Sequence, residues 1–379
     1  MEMKFNSKAF LASLQQAYAV ISARNSLPIL DNVMIQTKDD GNGGTTAILV
    51  ASDSEMWLQI KSPIAEGDKG LKICLNAKDL LNALKNLGDY NVAMTSDSEK
   101  QTITCSYGIG QFSMPYEKTD EYPMPQLAMD GAIERIVNGE RIFKAIDKTC
   151  FAVANDELRP VMNGINFEFC KDAMIVAASD GQKLARYTDN TITHDNDETY
   201  SFVLPAKVSV VVKSLLSAFN CDIKVSFTDK AVSFSSKEFK LTARLTEGRF
   251  PNYKSVIPQT YNVSAEIDKQ NIVTALKRVL PMGSTSSELV LLRFADMKLV
   301  ISTEDIDFSK SASETITCDY STTNAPITIG FKGSSLLQII QNLDGENAVF
   351  ELTDPARAAV IYDSDKNVYL SLIMPMLIQ

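Results

Sequence analysis

Three acidic residues close three similar apolar stretches: Asp53 ends ILVASD at 48–53, Asp180 ends IVAASD at 175–180, and Glu304 ends LVISTE at 299–304. Paired carboxylates perform general acid and base work when they stand roughly 5–10 Å apart. These three are separated by 127 and 124 residues, and acids at equivalent places in repeated domains lie too far apart to cooperate. An α+β enzyme is therefore the weaker reading. The one histidine, His194, sits in the acidic stretch THDNDET without a nearby partner in sequence. Cys74, Cys105, Cys150, Cys170, Cys221 and Cys318 form no CxxC pair, so no zinc or redox motif is offered and they read as small buried apolar groups. GxxxxGK[ST], HExxH, GxSxG and a complete GxGxxG are all absent. GIG at 108–110 and GNGG at 41–44 read as turn glycines. No cofactor and no metal is expected, and the weight shifts to a binding or scaffold protein.

The elements that carry these acids recur. LNAKDLLNALKNLG (75–88), LPAKVSVVVKSLLSAF (204–219) and IGFKGSSLLQIIQNLDG (329–345) each join a strand end to a lysine and an amphipathic helix. Lys78, Lys207 and Lys332 are 129 and 125 residues apart. A helical segment opens each unit: SKAFLASLQQAYAVISA (7–23), GERIFKAIDKTCFAVA (139–154) and DKQNIVTALKRVLPMG (268–283). In the second, Ile142, Ile146, Thr149 and Val153 make an apolar stripe and Arg141, Lys144 and Lys148 a basic one. Short alternating strands such as TAILVAS, QTITCSYG and DIKVSFTD follow, with hairpin signals in DDGNGG and FCKDA. One period of about 125 residues with three markers predicts three α+β units, each with two helices on antiparallel sheet whose exposed edges invite pairing with a neighbour.

Length agrees, since 379 residues are long for one core. Hydrophobic residues make up 45% and charged residues 22%, with a formal net charge of -10. No run approaches the roughly 18 apolar residues of a membrane span, and MEMKFNSKAF lacks the apolar core of a signal peptide, so a cytoplasmic protein is expected. One oddity is the apolar SLIMPMLIQ at 371–379, which either closes a core sheet or lines a site that another molecule enters.

RNSLPILDNVMI (24–35), DELRPVMNGINFE (156–168), AASDGQKLA (177–185), EGRFPNYKSVIP (247–258) and MPM (374–376) together resemble the bacterial DNA polymerase III beta subunit family, the replicative sliding clamps. The resemblance covers the whole chain in order. It implies three clamp domains, at 1–129, 130–256 and 257–379, and two chains paired head to tail as a closed ring. It further implies a non-catalytic processivity factor that encircles duplex DNA without sequence preference. The expected partners are a second copy, the polymerase alpha subunit, the clamp loader and other proteins with clamp-binding motifs. A repeat-built protein-binding adaptor that does not encircle DNA is the alternative.

By motif position the resemblance implies a hydrophobic peptide cleft. One wall would use Met162, Ser179, Gly181, Gln182, Lys183 and Leu184; the other Pro251, Tyr253 and Val256, closed by Leu372, Met374, Pro375 and Met376. Two methionines make a deformable wall that accepts several related peptides. Gln182 and Lys183 stand where many members have histidine and arginine, Ser255 where some have arginine, and LIQ lengthens the tail beyond MPM. Toward DNA the resemblance places Arg24, in the loop before LPIL. Helix residues Lys78, Lys85, Arg141, Lys144, Lys148, Lys207, Lys213, Lys269, Lys277 and Arg278 would line the hole. Weak phosphate contacts suit a ring held by topology, because tight ones would stop it sliding. At the contact between chains, Phe112 and Met114 in FSMP would pack near Leu280 of the partner's third domain.

Overall fold

The computed structural model describes residues 1–379 except 40, 42, 43, 125, 126, 128, 321–324 and 379. Much of the GNGG turn and the terminal Gln379 thus lie outside the described residues. The first repeat runs β1 (Glu2–Asn6), α1 (Ser7–Tyr18), β2 (Asn32–Asp39), β3 (Thr45–Ser52), β4 (Met56–Ser62), β5 (Glu66–Gly67), β6 (Lys72–Asn76), α2 (Ala77–Lys85), β7 (Asn91–Asp97), β8 (Thr102–Tyr107) and β9 (Gly110–Pro115). The second runs β10 (Ile133–Asn138), α3 (Gly139–Thr149), β11 (Gly164–Phe169), β12 (Met174–Ser179), β13 (Lys183–Asp189), β14 (Tyr200–Pro205), α4 (Ala206–Ala218), β15 (Asp222–Phe227), β16 (Ala231–Ser235) and β17 (Phe239–Arg244). The third runs β18 (Val263–Asp268), α5 (Lys269–Val279), β19 (Leu289–Ala295), β20 (Lys298–Asp305), β21 (Lys310–Thr317), β22 (Asp319–Tyr320), β23 (Ile327–Lys332), α6 (Gly333–Gln341), β24 (Asn347–Leu352), β25 (Ala359–Tyr362) and β26 (Tyr369–Ile373).

Each opening helix starts on a side chain that satisfies free backbone donors. Asn6 accepts from the amides of Lys8 and Ala9 at 3.1 Å, Asn138 from Glu140 at 3.0 Å, and Asp268 from Asn271 at 2.7 Å. A cap of this kind stabilises a helix by about 1 kcal/mol. The apolar stripes then face the sheets: Phe10 and Leu14 in α1, Ile142 and Ile146 in α3, and Ile272 and Leu276 in α5 are fully buried.

The chain divides into two compact units whose boundaries cut through the second repeat. Unit 1 is Met1–Phe143 with Lys207–Leu245, and unit 2 is Lys144–Ala206 with Thr246–Gln379. The cause lies in the sheets. Unit 1 holds a five-stranded sheet, β5-β1-β7-β8-β9, and an eight-stranded one, β10-β15-β16-β17-β4-β3-β2-β6. Within the latter, the last strand of the second repeat, β17, pairs antiparallel with the third strand of the first full hairpin set, β4. Unit 2 repeats the device in a nine-stranded sheet, β14-β11-β12-β13-β26-β25-β24-β18-β22, through β26 on β13, and adds a four-stranded sheet, β21-β20-β19-β23. Each of these ladders therefore runs through strands of two repeats.

Aromatic pairs fill the interiors. Phe5 and Phe10 lie 4.2 Å apart in unit 1, while in unit 2 Phe167 stacks on Phe202 at 5.2 Å and Phe294 meets Phe350 at 5.9 Å. Each fully buried ring contributes about 1.5–3 kcal/mol of transfer free energy. No helix among the described residues is long and apolar enough to cross a membrane.

Candidate partner cleft and basic helix faces

The three repeated acids are turn formers. Asp53 Oδ1 accepts from the amides of Glu55 and Met56 at 3.0 and 2.8 Å, and Asp180 Oδ1 from those of Gln182 and Lys183 at 2.8 and 2.7 Å. The third member is Asp305, whose Oδ1 accepts from Phe308 N at 3.3 Å; it replaces Glu304, the residue expected from spacing. The paired row shows why: Asp53, Asp180 and Asp305 each lie three residues beyond Val50, Ala177 and Ser302, which hold the same place in their sheets. Each carboxylate is consumed by its own turn. Among the described residues no three His, Cys, Asp or Glu side chains group as metal ligands.

The Asp180 turn builds one side of the expected cleft in unit 2. Gly181 has φ +90°, a left-handed conformation that glycine adopts without strain, and a Cβ there would meet Arg159 Nη1 at 3.2 Å and Met162 Cε at 3.9 Å. Met162, from the turn at Pro160–Asn163, is thereby brought beside the glycine. Ser179 Oγ donates to Lys183 O at 2.8 Å. The Lys183 ammonium bonds Asp180 Oδ2 at 2.6 Å and is largely buried, so it locks the turn and offers no free cation to a ligand.

The floor is a packed cluster. Ala177, Leu184, Tyr253, Ala358 and Leu372 are buried together, with Ile175, Phe250 and Ile257 against them. Leu184 pairs with Leu372 across β13 and β26, and Met374 N continues that ladder by donating to Gln182 O at 2.7 Å. Burial, and then the nearby Glu168 carboxylate, push the Tyr253 phenol well above its usual range, so it stays neutral. Next in sequence to Ile257 and two residues beyond Leu372, Val256 and Met374 are exposed at 55% and 42%. An apolar floor with a half-exposed methionine and valine accepts an aliphatic or aromatic side chain. Pro251 is exposed and Pro375 half-buried at the flanks. The tail then leaves: Met376 N donates to Gly330 O at 2.8 Å, and Ile378 Cγ1 lies 3.4 Å from where a Cβ on Gly330 would stand. Met376 and Ile378 therefore pack on β23, leaving Leu377 exposed.

The basic residues divide into two groups. Lys148 is buried: its ammonium donates to Asn342 O and the Asp344 carboxylate and lies 5.4 Å from the Tyr369 ring centroid. It is withdrawn from any phosphate, a correction to its expected role. Lys144 joins Asp344 at 3.3 Å, Lys207 pairs with the nearly buried Asp53, Lys269 donates to Leu343 O at 2.6 Å, and Arg278 Nε bonds Glu314 at 2.8 Å. Lys213 lies over the Phe143 ring at 5.7 Å, and Arg141 is exposed on α3. Arg24, Lys78, Lys85 and Lys277 are exposed and make no ion pair among the described residues.

At the expected chain contact, Phe112 and Met114 share the half-buried face of β9, an outer strand. Leu280 is half-buried. Its Cδ2 lies 2.1 Å from where a Cβ on Gly333 would stand, so it packs against that glycine, and Met282 is the exposed neighbour.

Three family models match in order along the chain: the DNA polymerase III beta subunit N-terminal domain over residues 1–127, its central domain over 136–252, and its C-terminal domain over 254–377. The chain belongs to the DNA polymerase III beta subunit family, the sliding clamps. A beta sliding clamp of Staphylococcus aureus is 24% identical over 386 residues, covering 99% of both chains. The fold matches the beta subunit of Pseudomonas aeruginosa with TM-score 0.90 at 22% identity, and that of Thermotoga maritima with 0.89 at 21%, each over 100% of both chains. A Bartonella birtlesii clamp whose crystal structure holds griselimycin matches with TM-score 0.88 at 24% identity, again over 100% of both chains.

In this clamp the motif positions Met162, Gly181, Leu184, Tyr253, Leu372 and Met374 converge on one place. Beside them is a polar shelf, of which the sequence reading assigned only Gly181 and Gln182 to the cleft. Ala154–Arg159 and Asp180–Gln182 line an open cavity of about 580 Å³, where Arg159 Nε bonds Asp156 at 2.8 Å and Leu158 is 92% exposed. The exposed leucine next to the PVMNG motif was its one visible signal.

Proposed function

We propose that two copies of this chain close head to tail into a ring around duplex DNA and hold the replicative polymerase and other replication proteins at the unit 2 cleft. The observation that carries this is the strand scheme. Twice within the chain, the last strand of one repeat completes the sheet of the repeat before it, β17 on β4 and β26 on β13. Two strands are left without mates in that scheme: β9, the last strand of the first repeat, and β21, the third-repeat counterpart of β4 and β13. Each supplies what the other lacks, so a second copy completes both, and two identical contacts close the assembly. Phe112 and Met114 would enter this junction beside Met282 and Leu280.

Domain boundaries at 1–129, 130–256 and 257–379 follow from the same repeat. Arg24, Lys78, Lys85 and Lys277, exposed and without an ion pair among the described residues, would meet phosphate, whereas Lys144, Lys148, Lys207, Lys269 and Arg278 chiefly brace the protein. The cleft takes partner peptides bearing glutamine and a terminal leucine or phenylalanine pair, including those of the polymerase alpha subunit and the clamp loader. The clamp does no chemistry of its own and acts in the cytoplasm. Sedimentation at micromolar concentration should give twice the 41.7 kDa chain mass. A single-chain mass there would refute the ring, and a peptide-binding single chain would leave the adaptor reading standing.

A further inference from the structure

The two covalent junctions fix the register of the third, and that register sets Pro115 against it. One row of paired residues crosses the first junction from Cys74 through Met34, Val50 and Gln59 to Lys240. The same row crosses the second from Val203 through Asn166, Ala177 and Arg186 to Leu370. In the third repeat it runs Gly330, Leu291, Ser302, Ser313 and stops at the open edge of β21. On β9, the residue matching Lys240 and Leu370 is Gln111. The match follows from the ladders behind it, Ile136–Lys224–Ser235–Lys240 and Lys4–Ala93–Ser106–Gln111, which start two residues before the helix caps Asn138 and Asn6. Two bonds beyond the strand agree: Leu245 N to Lys230 O repeats as Tyr116 N to Gln101 O, and Thr246 N to Val203 O repeats as Glu117 N to Cys74 O.

In a ring, Gln111 therefore stands opposite Ser313 of the other copy, and Ser113 opposite Ser311. Each covalent junction ends on one further bond, Arg244 N to Glu55 O at 2.9 Å and Met374 N to Gln182 O at 2.7 Å. The equivalent donor between copies would be residue 115 and its acceptor Ser309 O. Residue 115 is proline, which has no N–H, and that missing hydrogen lies on the open side of β9 because Tyr116 N turns inward to Gln101.

We infer that Pro115 deletes the closing rung of the copy-to-copy ladder, making that junction weaker than either covalent one and the place where the ring parts. This rests on the ring reading, and it assigns to one residue the looseness that admitting DNA requires. Subunit exchange between differently labelled clamps tests it. Pro115→Ala and Pro115→Gly both restore an N–H, and each should slow exchange roughly 3- to 10-fold, the effect of one backbone hydrogen bond. Ser113→Pro, which removes a second outward N–H, should speed it. A short thiol cross-linker on Ser113→Cys with Ser311→Cys, read over the wild-type background, reports the pairing itself. Cross-linking together with slowed exchange in both restored variants supports the inference. Cross-linking with exchange at the wild-type rate or faster overturns the role of Pro115 and leaves the ring intact. Failure to cross-link, with a single-chain mass, overturns both.

Discussion

At Asp344 two ammonium groups meet one carboxylate, and their energetics differ. Burial pulls its pKa up, but hydrogen bonds and charge from Lys148 and Lys144 outweigh that and hold it below the ordinary 3.8. A depressed folded value means that the carboxylate contributes stability above about pH 4 and loses it as pH falls through the folded pKa. Asp344→Asn should therefore flatten the acid limb of a stability profile below pH 4 while lowering stability at pH 7; an unchanged acid limb would show that the pair adds nothing. Lys148→Ala strands the Asn342 carbonyl and should cost about 2 kcal/mol in denaturant titration. Its burial was not legible in the sequence, where Lys148 falls on a regular basic stripe. Periodicity reports the face of a helix, but the acceptor here is 194 residues away. The cysteines were partly legible: burial pushes Cys74 and Cys105 to about 12 and Cys318 to about 11, whereas Cys150, Cys170 and Cys221 are only half-buried. Peptide mapping after alkylation of the native protein at pH 8 should find label on those latter three alone.

Among the elements, strand ends decide most of the behaviour. β26 both closes a core sheet and carries Met374 to the cleft, which answers why a chain of net charge -10 should place SLIMPMLIQ there. Part of that hydrophobicity is floor, part is wall, and Met376 and Ile378 dress β23. Removing residues 374–379 should abolish binding of a Gln/Leu/Phe-type peptide and leave the dimer intact; unchanged affinity in calorimetry would refute the cleft. On β9, Phe112→Ala with Met114→Ala should shift the solution mass toward one chain at micromolar concentration. The elements themselves were readable because three markers recur at one period and the helix caps sit at matching positions. What could not be read was their phase: similar apolar letters align LVISTE one residue early, and the strand register puts the third acid at Asp305 rather than Glu304. The polar shelf at Ala154–Arg159 had no repeat and no periodicity to mark it.

For the whole molecule, repetition with strand exchange turns three small domains into bodies larger than any one of them, and an unpaired strand at each end of the scheme calls for a second copy. The bound lysines matter at this scale. Because at least five of the eleven expected basic contacts donate within the chain, fewer are left to meet phosphate, and the fall of affinity with salt should be shallower than eleven contacts per chain would give. In the ring reading, retention at high salt comes from closure rather than attraction. The most direct measurement loads the protein onto nicked circular DNA, removes free protein, and follows retention before and after a single cut linearises the circle. A sliding ring stays on the circle and runs off the ends once it is cut. Equal lifetimes on circular and linear DNA would contradict the ring.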